Sequence, residues 1–234
     1  VRRLALDTST RATSVAACDG DRTVERRDDP PPGERPGHAR CVLRLAADAL
    51  AQAGWDWPEV EQVVVGRGPG SFTGLRIGIA TAHGLASSLG VPLIGVSTLE
   101  SLALGALGEA GTVVAVLDAR RREVFAAVWE LGASGCHDRI EPPQVLRPDE
   151  LGELVARLET PLAVGDGTVE WREVLERAGA TVPPSESELH RVSAAAHCRL
   201  AEEAPAAAPG AALPEYLRLP DAEIARRAAH PDGT

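Results

Sequence analysis

The sequence predicts an α/β fold with mixed sheets, and three observations predict it. Short strand patterns joined by tight turns open the chain, strands and helices then alternate, and a similar round begins near the middle. Leu4-Ala5-Leu6 reads as a buried strand ending at Asp7, residues 13–18 as a second strand and, past the Asp19-Gly20 turn, 23–27 as a third, an antiparallel meander. Val42, Leu45, Ala46, Ala49, Leu50 and Ala53 recur at helical spacing from His38 to a stop at Gly54. A strand over 60–66, a helix over 73–89 closed by Gly90 and a strand over 91–96 complete a β-α-β-α-β order.

The second round opens with a short helix over 99–107 and a strand over 113–117 ending at Asp118. An alternating strand covers 123–131. Pro148, Asp149 and Glu150 start a helix reaching 158. A short strand over 162–164 and helices over 169–178 and 192–203 follow. Leu6-Asp7 ahead of the strand at 13–17 is echoed, about half a chain later, by Leu117-Asp118 ahead of 124–128. That echo suggests a duplicated, two-lobed fold divided as 1–105 and 106–219, with a polar, frayed tail over 220–234.

Composition narrows the function. Hydrophobic residues make up 44% and charged residues 25% of the 234, the balance of a soluble globular protein. No apolar run approaches the roughly 18 residues of a membrane span. Asp7 interrupts the stretch that a signal peptide would need, so a cytoplasmic location is expected. A net charge of −10 argues against unaided nucleic-acid binding, since phosphate neutralisation supplies most of that affinity. Arg120-Arg121-Arg122 is the one dense basic patch, and as a sequence feature it reads as a solvated turn. Cys18, Cys41, Cys136 and Cys198 are widely spaced, without a C-x-x-C pair, and are expected as buried thiols.

The strongest local feature runs from Gly66 to Gly78 as Gly-Arg-Gly-Pro-Gly-Ser-Phe-Thr-Gly-Leu-Arg-Ile-Gly. It lies between a strand and a helix, where phosphate cradles occur. However, it lacks the Gly-Lys-Ser/Thr of a P-loop, the spacing of a dinucleotide fingerprint and the glycines of a nucleophile elbow around Ser71. Helical spacing explains it better: Gly74, Gly78, Ala82 and Ala86 fall every four residues on one face. Each internal glycine costs about 1 kcal/mol relative to alanine, so something must approach closely enough to compensate. That neighbour is either the chain's own sheet or another protein.

Leu4 to Thr10, Val64 to Gly78, Ile94 to Leu99, Leu117 to Phe125 and Pro214 to Arg218 together closely resemble the TsaB family, also called YeaZ; the likeness is dense over 1–130 and thin beyond. The resemblance implies a two-lobed actin and sugar-kinase type (ASKHA) fold. It implies a non-catalytic subunit that scaffolds the catalytic relative TsaD and works beside the ATPase TsaE. TsaD adds a threonylcarbamoyl group to an adenosine beside the tRNA anticodon. The family's first-lobe helices form the heterodimer surface. Here they correspond to 38–53, with His38 and Leu45, and to 73–89, with Gly74, Gly78, Ala82 and Ala86. The expectation is a docking face whose glycines admit the partner, so that Gly78→Leu weakens association in a folded monomer. A homodimer is expected when the chain is alone, and tRNA contact only through the complex.

No metal, cofactor or catalytic residue is expected. TsaD-like relatives hold a metal through His-x-x-x-His, whereas the matching stretch here is Ser97-Thr98-Leu99-Glu100-Ser101. Val42 stands four residues after His38 and Ser87 four after His83, while His190 and His197 are seven apart. Metal chemistry needs several converging donors. Asp7 and Asp118 could mark a vestigial nucleotide site, since acids in both lobes hold magnesium and phosphate in active relatives. The side chains of Thr8-Ser9-Thr10 would crowd the phosphate loop, leaving at most weak nucleotide binding. A kinase-like ATPase and a peptidase are the competing enzyme readings.

Overall fold

The first sheet grows outward from β1 (Arg3–Asp7), which pairs antiparallel with β2 (Thr13–Asp19) and parallel with β4 (Gln62–Gly66). With β3 (Arg22–Asp28) and β5 (Leu93–Val96) at the edges, the order is β3-β2-β1-β4-β5. The computed structural model describes residues 1–31, 33–108, 111–132, 137–203 and 213–217. The expected tail over 220–234, and Cys136, lie outside them.

Strand alternation sorts the residues of this sheet between two cores. Leu4, Leu6, Val15 and Ala17 meet α1 (His38–Ala53) and α2 (Phe72–Leu89) on one face. Ala5, Ala16, Cys18 and Val64 meet α7 (Ala194–Glu203) on the other. Burial on both faces is why β1 and β4 are apolar runs rather than alternating ones. Edge strand β3, Arg-Thr-Val-Glu-Arg-Arg-Asp, carries the charges that discourage further pairing. Gly54 and Gly90 stop α1 and α2 in left-handed conformation, at φ 76° and 70°.

The second sheet repeats the plan. β6 (Gly111–Arg120) pairs antiparallel with β7 (Glu123–Leu131) and parallel with β9 (Leu162–Val164), and β8 (His137–Leu146) lies outside β7. The order β8-β7-β6-β9 matches β3-β2-β1-β4, so the echo of Asp7 at Asp118 marks equivalent strands. α4 (Pro148–Val155) and α6 (Arg172–Arg177) cover one face of this sheet, and α3 (Thr98–Leu104) covers the other.

The elements differ from the sequence reading in a few places. Across the expected boundary at 105/106 the halves exchange a helix: α3 packs on the second sheet while α7 closes the first. Strand β8 escapes the sequence reading because Pro142 and Pro143 interrupt its pattern; an edge position tolerates them, since one side of the strand makes no ladder bonds. The helix expected over 169–178 is two, α5 (Asp166–Glu170) and α6, broken at Trp171.

Candidate functional site

The glycine-rich segment wraps the turn after β1. Gly66, Gly70, Gly74 and Gly78 stand four residues apart, and a side chain at any of them would strike that turn. A Cβ would lie 2.1 Å from Asp7 Oδ2 at Gly66, 2.5 Å from Ser9 O at Gly70, 2.0 Å from Thr8 O at Gly74 and 2.2 Å from Thr8 Oγ1 at Gly78. The contacts are hydrogen-bonded as well as close. Thr8 Oγ1 donates to Gly74 O at 2.7 Å, and Ser71 N–H donates to Ser9 O at 2.7 Å. These bonds and dispersion contacts offset the helix cost of Gly74 and Gly78.

The residues expected to line the docking face point inward in this chain. Gly74, Gly78, Ala82 and Ala86 are all buried, and so are His38 and Leu45. The neighbour that needs the small residues is Thr8 of the same chain, so a leucine at position 78 would strike Thr8 before reaching any partner. His38 opens α1, its Nδ1 2.8 Å from the Thr13 hydroxyl. Burial lowers its pKa, while Asp7, the Thr10 backbone and Asp28 act in the opposite sense. Leu45 belongs to the core between α1 and the sheet.

Asp7 and Asp118 have different surroundings. Asp7 is 1% exposed. It accepts from the Ser9 N–H at 2.9 Å and the Ser9 hydroxyl at 2.7 Å, and its Oδ2 lies 2.9 Å from His197 Nε2. Burial pushes its carboxyl up, but the bonds and charge of His197 and the bonds from Ser9 outweigh this, and the net shift is downward. The second ring nitrogen of His197 meets the Ser101 hydroxyl. Ser101, His197 and Asp7 therefore form a chain reminiscent of a hydrolase triad, with Ser101 and His197 both 0% exposed. No substrate reaches a serine sealed in that way, so the chain ties α3 and α7 to β1.

Asp118 lines a cleft of 390 Å³ together with Ser9, Thr10, Arg11, Arg120, Asp166 and Tyr216. Its carboxylate accepts the Arg120 N–H at 2.7 Å and pairs with the Arg120 guanidinium at 2.9 Å. The Asp118 N–H in turn donates to Asp166 at 3.0 Å. Burial, with the neighbouring Asp118 charge, raises the Asp166 carboxyl to about 6 against the bonds it accepts. Among the described residues no three His, Cys, Asp or Glu side chains are grouped to hold a metal ion.

Two features went unread in the sequence. Residues 213–217 strap the glycine loop: the Glu215 N–H donates to Arg67 O at 2.7 Å, and Gly68, at φ +113°, leaves room for Glu215 O. Tyr216 packs on Phe72 at 5.2 Å, and Arg76 lies 4.0 Å over the Phe72 ring. The other feature is Gly84, exposed inside α2, where an added Cβ would meet nothing within 4 Å. Its offset from the Gly74–Ala86 series was the signal that pointed outward.

The Escherichia coli tRNA threonylcarbamoyladenosine biosynthesis protein TsaB is 35% identical to this chain over 227 residues, 93% of this chain and 95% of the relative. The chain belongs to the TsaB family. The Bacillus subtilis TsaB protein is 32% identical over 167 residues, 70% of this chain and 72% of its own length. A solved Pseudomonas aeruginosa structure, described as similar to the peptidase YeaZ, superposes with a TM-score of 0.78 at 32% identity, covering 93% of this chain and 99% of that one. The family model described as TsaD: tRNA N6-adenosine threonylcarbamoyltransferase matches residues 31–156. The peptidase label finds no support in this TsaB-family chain, since its Ser-His-Asp chain is sealed.

Proposed function

We propose that this chain is the non-catalytic subunit that binds and supports a TsaD-type transferase as it adds the threonylcarbamoyl group to adenosine next to the tRNA anticodon. Membership of the TsaB family supports this, as does the Escherichia coli relative's naming for threonylcarbamoyladenosine biosynthesis. The docking face is the outer side of α1 and α2. Leu43, Ala47 and Ala51 on α1, with Ala80, Gly84 and Ser87 on α2, are exposed there, and Leu43 is 50% exposed. Gly84 carries the reading. A mid-helix glycine costs about 1 kcal/mol, and its own chain offers nothing in return, whereas a partner helix laid across it would.

Alone, the same face pairs with a second copy about a two-fold axis. A TsaE-type ATPase joins the assembly, tRNA reaches it through the complex, and the site of action is the cytoplasm. No described helix is long and apolar enough to cross a membrane. The repeated strand order favours descent from an actin and sugar-kinase type duplication. Nucleotide has no assigned role in the cleft.

Light scattering of the chain mixed with a TsaD-type subunit tests the proposal. A one-to-one complex is expected, and Gly84→Arg abolishes it without unfolding the chain. Separate masses for the native mixture would sink the scaffold reading.

A further inference from the structure

Arg120, Arg121 and Arg122 join β6 to β7 with φ of 63°, 56° and 62°. A two-residue hairpin loop with both φ values positive takes Asn-Gly by preference, because other side chains clash with their own backbone in that region. Here Arg121-Arg122 fills it, and Arg120 extends the left-handed run. Strained backbone that persists in a fold marks a place where the side chains matter more than local ease. All three arginines are exposed. Arg120 pairs with Asp118 at 2.9 Å, and the Arg122 guanidinium lies 5.8 Å from the Trp171 ring centroid. The tip thus presents guanidinium forks, the group best matched to phosphate oxygens.

We propose that this hairpin tip grips the phosphate backbone of RNA bound to the assembly, an inference that rests on the function proposed above. With a net charge of −10 the chain as a whole repels such a polymer, so contact must be local and dense, as it is here. An acidic protein would need an apolar centre to dock with strength. The tip has none between residues 120 and 122, and a phosphate backbone requires none.

The test is the double variant Arg121→Asn, Arg122→Gly, which installs the turn's preferred residues and so leaves folding intact. Within the assembled complex, tRNA affinity at low salt is expected to fall about three- to tenfold, and the salt dependence of log Kd to flatten by about one to two units. Association with the TsaD-type subunit and the melting temperature are expected to hold. Lysines at both positions should restore part of the affinity. Unchanged affinity and slope would overturn the proposal, as would unchanged tRNA binding alongside weakened capture of a protein subunit. If the native chain forms no complex, the scaffold reading fails separately. The hairpin is then judged by the same comparison with a single-stranded RNA oligonucleotide and the chain alone, where a loss of binding supports it and no difference overturns it.

Discussion

His197 Nε2 lies 2.9 Å from Asp7 Oδ2, joining the last described helix to the first strand in a space that solvent does not reach. Gly66 carries no side chain because this pair occupies the volume: a Cβ there would sit 2.6 Å from His197 Nε2. Asp7 therefore helps to hold α7 in place.

Replacing Asp7 with Asn should cost on the order of 3 kcal/mol at neutral pH, because it weakens a buried charged bond. The Asp7 carboxyl is held below its ordinary 3.8. Its contribution is therefore present above that value and is lost as pH falls below about 4, through the folded-state pKa. Urea unfolding at pH 7 and at pH 3 should show native and variant stabilities converging in acid. A gap that stays constant would contradict the assignment.

Gly78→Ala is expected to destabilise the chain by about 2 kcal/mol through overpacking against Thr8. The obstacle is one atom, Thr8 Oγ1 at 2.2 Å, with Thr8 Cβ at an ordinary 3.5 Å. In a Thr8→Ala background the same change should therefore cost far less, and a double-mutant cycle in denaturant measures the coupling. Additive effects would show that some other contact excludes the side chain.

Gly84→Ala should do the reverse and raise the stability of the isolated chain by up to about 1 kcal/mol, as a helix-interior glycine replaced in open space should. Thermal melts of the two alanine variants, rising for Gly84 and falling for Gly78, separate the outward glycine from the inward one.

Asp166 supplies a pH dependence of opposite sign. Its carboxyl stays protonated in the fold up to about 6, against an ordinary 3.8. Stability therefore declines as pH climbs between those values, where the unfolded chain releases the proton first. Asp166→Asn, which keeps an acceptor for the Asp118 N–H, should be more stable than the native chain at pH 7.5 by about 2 kcal/mol. The difference should vanish below pH 4. A variant less stable at pH 7.5 would show that the charge itself is needed.

Strands and helices with clean periodicity were legible in the sequence: α1 from its apolar stripe, β7 from its alternation, β9 from three apolar residues between breaks. Strand β8 was not, because Pro142 and Pro143 fit a sheet only at an edge and nothing local says where the edge lies. The glycine series was legible as a demand for close approach. Its direction was not, since four-residue spacing defines a face without saying what covers it, and the cover turned out to be Thr8, remote in sequence. Asp7 and Asp118 share equivalent strands, yet one is sealed by His197 and the other faces the cleft, a difference decided by a helix at the far end of the chain.

The exchange of α3 and α7 between the sheets bears on how the chain matures during synthesis. The opening hairpins and both long helices leave the ribosome early, but the surface around Ala5, Ala16 and Val64 stays bare until Cys198 and Leu200 arrive to cover it. Until α7 is made, then, the nascent polypeptide carries an oily flank, and a product truncated after the second sheet would keep that flank exposed and invite aggregation.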